Sequence, residues 1–196
     1  MRYTIYGSET SPFVRRLRLF LQNKKIPSTL KMINYLEKND AEILKKINPI
    51  NKIPVLKDEK NGQVVFDSRI IFNYILAQES LNKLTIDEEN ILSLIDGMQD
   101  STVNLFMIKR SGIDITIDNS FFNRQRNRVE EILNHLTPWV ESNPEWNYLT
   151  MSLYSLLDWG QFREMLNLKN RKAYLDFFQA HSNREEVLKT KIIVPA

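Results

Sequence analysis

The 196-residue chain has no cysteine, two histidines and five glycines. Without cysteine there is no disulfide, thiol nucleophile, iron–sulfur cluster or zinc–thiolate site. His135 and His181 are far apart in sequence, and neither falls in a His-Glu-x-x-His or other ligand spacing. A metal is therefore not expected. The few glycines form neither G-x-G-x-x-G nor G-x-x-x-x-G-K-[ST], which sets aside glycine-rich dinucleotide and P-loop architectures. G-x-S-x-G is also absent, which makes a Ser–His–Asp hydrolase a poor reading. No apolar run approaches the roughly 18 residues needed to span a bilayer. Residues 1–7 lack the apolar region and small-residue cleavage site of a signal peptide. The expectation is a soluble, cytoplasmic protein with no membrane partner.

What is present is ordinary globular material: 42% hydrophobic and 26% charged residues. The length allows one large domain or two small ones. The net charge of +3 is uneven. Residues 1–80 carry 14 Lys and Arg against 8 Asp and Glu, and residues 81–196 carry 13 against 16. A basic first part can attract an anionic small molecule or nucleic acid, but a solvated basic surface gives the same balance. Nucleic acid is not the expected partner. Arg124, Arg126 and Arg128 read as a solvated helix face, with Arg126 and Glu130 as a favourable i,i+4 pair.

Arg2–Tyr6 is rich in β-formers and reads as a strand. Ser11-Pro12 is a strong helix start, with serine as N-cap and proline at the first helical position. Phe13, Leu17, Phe20 and Leu21 then recur at helical spacing, with Arg15, Arg16 and Arg18 between them. Ser28–Ile33 alternates like a second strand, and 36–47 is a weaker helix closed by Asn48-Pro49. Ile53–Leu56 is a third strand with Pro54 at its entrance. Asn61-Gly62 marks a hairpin into a fourth strand, Gln63–Phe66. Asp67 or Ser68 caps a further helix. Strand signals then stop, and residues 81–85 read as a linker. Ile86–Arg110, Asn119–Glu141, Ser155–Leu166 and Asn170–Gln179 are helical by period, broken at 111–116 and 142–147. The expected architecture is an α/β domain over 1–80 followed by an all-α domain over 86–196.

This order of elements, with a proline opening the third strand, resembles the thioredoxin fold. Three motifs narrow the likeness: Ser11-Pro12-Phe13-Val14-Arg15-Arg16-Leu17-Arg18, Asn48 through Leu56, and Asp67-Ser68 with Ile70 and Tyr74. Together they resemble the N-terminal domain of the serine-type cytosolic glutathione S-transferases. Ser155-Leu156-Leu157-Asp158 resembles the S-x-x-D cap that begins the core helix of that family's helical domain. The fold class this implies is a thioredoxin-like domain followed by an all-helical domain.

The resemblance implies that Ser11 is catalytic, its hydroxyl donating a hydrogen bond to the sulfur of glutathione. A free thiol ionises near pH 8.5, and a donor at a helix N-terminus favours the thiolate by hydrogen bond and dipole. Ser11 as a helix cap alone is the competing reading, and Ser8 and Thr10 are the nearest substitute hydroxyls. By the same resemblance, Asp67 and Ser68 meet the γ-glutamyl end of glutathione; an ordinary N-cap pair is the alternative. The Ile53-Pro54 peptide is cis in the family, and the Ile53 backbone pairs with the cysteinyl part of the ligand. Lys52 reaches the glycyl carboxylate or is simply solvated. Lys38 and Asn39 are further polar candidates. Phe13 lies beside the ligand or in the core. Met98, Thr102, Phe106 and Met107 line an electrophile pocket or pack as core, and Trp139 and Trp159 read as core.

The function implied is that of a glutathione S-transferase, with glutathione as co-substrate and no other cofactor. Its partners would be glutathione and a small hydrophobic electrophile, in a homodimer, with a role in detoxification. Family members of the maleylacetoacetate isomerase branch have serine and cysteine where this chain has Pro12 and Phe13, so that activity is not expected. The thiol-dependent redox branches need cysteine at the Ser11 position. A non-catalytic interaction protein, resembling stringent-starvation regulators, is the alternative function.

Overall fold

Residues 1–34, 37–142 and 144–192 are described by the computed structural model of the chain. The expected start of the second helix at 36 lies outside them. The chain forms two compact units, Met1–Lys83 together with the segment from Arg184, and Leu84–Asn183.

In the first unit β1 (Tyr3–Gly7), β2 (Ser28–Met32), β3 (Val55–Asp58) and β4 (Val64–Phe66) form one sheet in the order β2-β1-β3-β4. β1 runs parallel to β2 and antiparallel to β3, and β3 pairs antiparallel with β4. The third strand starts two residues later than the sequence pattern suggests and runs on to Asp58. Gly62, at φ +76°, supplies the left-handed residue of the hairpin turn. Helices α1 (Pro12–Asn23), α2 (Lys38–Ile47) and α3 (Ser68–Gln78) follow β1, β2 and β4. Gly7 permits a close approach: a Cβ there would lie 2.5 Å from Cγ2 of Val14, which is fully buried in α1. On the α2 side, Ile33, Leu44 and Val55 form a buried cluster flanked by Ile43, Ile47 and Ile53.

A five-residue helix, α8 (Glu185–Lys189), also belongs to this unit, although the sequence reading placed everything after 86 in the helical domain. It packs on α1. Arg15 Nε donates to Thr190 Oγ1 (3.4 Å) and Asn23 Nδ2 to Glu186 Oε1 (3.2 Å).

The glycine shortage shows at helix ends. α1 closes with Lys25 at φ 55°, and α3 with Ser80 at φ 52°. The Lys25 N–H bonds to Gln22 O and the Ile26 N–H to Leu21 O, the reciprocal pair of a left-handed C-terminal cap that glycine usually supplies.

The second unit contains α4 (Ile86–Arg110), α5 (Ser120–Glu141), α6 (Tyr148–Phe162) and α7 (Lys172–His181). α4 begins with a capping box: Glu88 N–H donates to Thr85 Oγ1 and Thr85 N–H to Glu88 Oε2. Asp87 and Glu89 in its first turn and Lys109 and Arg110 in its last complement the helix dipole.

The core helix α6 corrects the sequence reading. Its N-cap is Asn147, not Ser155. The Asn147 side chain accepts from the N–H groups of Leu149 and Thr150, and Thr150 Oγ1 accepts from the Asn147 N–H at 2.8 Å. Ser155 is fully buried in mid-helix and donates to Met151 O at 2.8 Å, so Ser155-x-x-Asp158 caps nothing. The first ten residues of α6 are all buried, as expected of a helix enclosed on every side.

Arg124 and Arg128 are exposed, as expected of a solvated helix face, but two of the three arginines also make specific bonds. Arg126 bonds to Ile115 O and to Asn123 Oδ1, and Arg128 to Ser101 Oγ and Gln125 Oε1 at 3.0 Å each. Glu130, the expected partner of Arg126, pairs instead with Arg171.

Tyr174 of α7 is fully buried and donates to Leu133 O at 2.6 Å. Burial pushes its phenol up to about 12 from the ordinary 10.0. The neutral phenol thus contributes stability that is complete below about pH 10 and lost as pH rises through about 12. Two units correspond to roughly 2–3 kcal/mol as an upper figure. Urea midpoints measured from about pH 9 to 12 should fall steeply for the wild type and less steeply for Tyr174→Phe. Parallel curves would show that Tyr174 does not titrate with unfolding.

Candidate active site

The strand register brings the sequence motifs of the first unit to one place. Tyr6 pairs with Val55, and Val55 with Phe66. These three residues form one row across β1, β3 and β4. The chain leaving β1 toward Ser11, the Ile53-Pro54 pair entering β3, and Asp67-Ser68 leaving β4 therefore all lie at the same end of the sheet.

Ser11 is the N-cap of α1, with extended backbone (φ −88°, ψ 123°) and Pro12 following it. Its Oγ accepts from the Val14 N–H at 3.4 Å, a long bond that uses an oxygen lone pair and leaves the hydroxyl proton available. The substitute hydroxyls are less suited. Ser8 Oγ and Thr10 Oγ1 lie 3.0 Å apart and bond to each other, and Ser8 Oγ also accepts from Thr10 N–H.

The Ile53-Pro54 peptide is cis. The loop before it is held by Asn48, which closes the second helix and opens the second of the three motifs. Asn48 is 2% exposed; its Nδ2 donates to Lys52 O (2.7 Å) and its Oδ1 accepts from the Ile50 N–H (3.0 Å). Asn51, at φ 55°, lies in the same turn. Lys52 is exposed, as are Lys38 and Asn39 at the start of α2.

Asp67 caps α3, its Oδ1 accepting from the Arg69 N–H at 2.9 Å, and its side chain is exposed. Ser68, the first helical residue, is 1% exposed. Its Oγ accepts from Arg16 at 2.7 Å. Arg16 is itself 1% exposed, and its guanidinium carbon lies 5.5 Å from the centre of the half-buried Phe13 ring. Arg15 and Arg16, which alternate with the apolar residues of α1 in sequence, are both buried. Arg18 is partly buried, and that burial lowers its pKa while Glu9 raises it.

The residues expected to line an electrophile pocket all lie on α4. Met98 and Thr102 are buried, and the Thr102 hydroxyl donates to Met98 O at 2.8 Å. Phe106 is half-buried, packs edge-on against Trp159 (5.2 Å, 80°) and lies under Arg163. Met107 is exposed. His181 stacks on Trp146 at 4.5 Å. Among the described residues no cluster of His, Asp and Glu could hold a metal ion, and no helix is long and apolar enough to cross a membrane.

Residues 5–83 match the family described as glutathione S-transferase, N-terminal domain. Those residues, fewer than half of the chain, are similar to that family's N-terminal domain. An uncharacterised glutathione S-transferase-like protein of Escherichia coli K12, YibF, is 38% identical over 106 residues. That match covers 50% of this chain and 50% of YibF, so the chain spans about half the length of the curated relative it matches. The fold is shared with two bacterial structures whose names record bound glutathione. The Pseudomonas fluorescens Pf-5 family member has a TM-score of 0.81 at 21% identity, covering 98% of this chain and all of that one. The Methylobacillus flagellatus KT transferase has a TM-score of 0.84 at 21% identity, covering 97% and 100%. The thioredoxin-like domain followed by helices is thus the glutathione-transferase architecture.

Proposed function

We propose that the protein is a glutathione S-transferase that holds the glutathione thiolate for attack on a small hydrophobic electrophile. The observation that carries this reading is the shared sheet end of Ser11, Ile53-Pro54 and Asp67-Ser68, within a domain similar to this family's. The glutathione recorded with the two bacterial neighbours supports the choice of thiol.

In this reading the Ser11 hydroxyl donates to the sulfur while its oxygen accepts from Val14 N–H, so the polarised hydroxyl and the α1 dipole both favour the thiolate. The thiol proton passes to solvent, and the thiolate bonds to the electrophilic carbon, either expelling its leaving group as an anion (chloride from chlorodinitrobenzene) or breaking a polarised double bond whose far atom then takes a proton from solvent. The Ile53 backbone pairs with the cysteinyl residue like an added strand. Ser68 and the N-terminus of α3 take the γ-glutamyl carboxylate. Asp67 meets the ammonium and Lys52 the glycyl carboxylate. Phe13 lies beside the ligand. The working state is a cytoplasmic homodimer that acts in detoxification.

Calorimetric titration with glutathione and turnover of chlorodinitrobenzene test the proposal. Saturable binding with glutathione-dependent turnover is the expected result. A folded protein that neither binds glutathione nor is retained on immobilised glutathione would overturn it and favour a non-catalytic interaction protein.

A further inference from the structure

Arg163 stands immediately after α6 and stacks on two rings of the second unit. Its guanidinium carbon is 5.1 Å from the centre of the Phe106 ring and 4.6 Å from that of Phe162. Phe106 is steadied from its other side by buried Trp159. Arg163 is half-buried, and its Nε is buried outright. A guanidinium has five N–H donors and no acceptor. Among the described residues Arg163 forms no hydrogen bond and no salt bridge. Glu164, the next residue, has left-handed backbone at φ 55° and does not pair with it.

The charge that does act on Arg163 is another cation, Arg110, the exposed last residue of α4. Burial lowers the pKa of Arg163, and Arg110 lowers it further. Arg110 also has no hydrogen bond or salt bridge among the described residues. Two like charges held near each other, one of them partly withdrawn from water, are unfavourable unless a negative group meets them. The C-terminal dipoles of α4 and α6 offset only part of this, each being equivalent to about half a negative charge.

We propose that Arg110 and Arg163 form a binding site for an organic anion that carries an aromatic ring, such as an aryl carboxylate or aryl sulfonate. A planar guanidinium fork takes two oxygens of one such group, and Arg110 adds the second charge. Phe162, which is 38% exposed, offers a ring on which the ligand ring stacks. The site lies wholly within the second unit and does not depend on the glutathione reading.

Naphthalene-2-sulfonate is the probe, titrated calorimetrically into the full chain without glutathione. Naphthalene-2-sulfonamide removes the charge, and methanesulfonate removes the ring. The wild type should bind the probe saturably with Kd below about 1 mM, at least about tenfold more tightly than either reference compound. Arg163→Gln and Arg110→Gln should each weaken the probe about five- to tenfold and change the sulfonamide by less than about twofold. Phe162→Ala should weaken the probe about threefold. Absence of saturable binding, equal affinity for sulfonate and sulfonamide, or an unchanged Kd in both arginine variants would overturn the proposal. Methanesulfonate binding as tightly as the probe would overturn its aromatic half. Because Arg110 is exposed, Arg110→Gln decides the matter if Arg163→Gln does not fold.

Discussion

Ser11→Ala should slow the reaction of glutathione with chlorodinitrobenzene by about 50- to 100-fold near pH 6.5. Without the hydroxyl donor, the bound thiol should ionise near its free value of about 8.5, roughly two units above the value with the donor. The deficit should therefore shrink by about fivefold for each pH unit gained and be small by about pH 9. Ser11→Thr keeps a hydroxyl at the helix N-terminus and should keep most of the activity. The alanine variant also deprives the Val14 N–H of its acceptor, at a stability cost of about 1 kcal/mol. Stability and activity thus separate the two roles. Equal rates for alanine variant and wild type at pH 6.5 would leave Ser11 as a cap and nothing more.

The largest loss of stability should follow Asp58→Ala. This carboxylate is fully buried at the end of β3 and serves three partners. Arg2 Nη2 lies 3.1 Å from Oδ2, Tyr74 Oη donates to Oδ2 at 2.9 Å, and Lys60 N–H donates to Oδ1 at 2.9 Å. The group ties the segment before β1, the hairpin turn and α3 together. Its removal leaves the Arg2 guanidinium without that carboxylate and two donors without an acceptor, for an expected loss of about 3–5 kcal/mol. Asp58→Asn retains an acceptor oxygen and should lose less. Urea denaturation followed by circular dichroism measures both, and a loss below about 1 kcal/mol for alanine would show that solvent replaces the carboxylate at this corner.

The local structure around the candidate site was legible where local chemistry dictates it. Ser11-Pro12, Asn61-Gly62 and Asp67 each solve a backbone problem within a few residues, and each stands where its chemistry requires. The shared sheet end could not be read so directly, because it depends on Tyr6, Val55 and Phe66 falling into one row. Buried Arg16 was hidden for the opposite reason. Periodicity assigns charges outward, whereas its partner Ser68 comes from a helix 52 residues away. The start of α6 was missed because a helix buried on all sides has no amphipathic period to mark its ends. The Asn147–Thr150 capping pair was the available signal, and it was masked by a more familiar-looking serine and aspartate further on. α8 is shorter than two turns, too short for a period to show. Lys25 and Ser80 end their helices without the glycine that usually announces such a stop.

The placement of α8 on α1 reverses the order in which the chain can be completed. Residues 84–183 are an excursion from the first unit, and α8 packs on α1 with bonds from Glu186 and Thr190. During synthesis the sheet and its first three helices leave the ribosome early, yet the helix bearing Ser11 lacks this last neighbour until about residue 190 has emerged. The nascent unit that begins first is the one that finishes last.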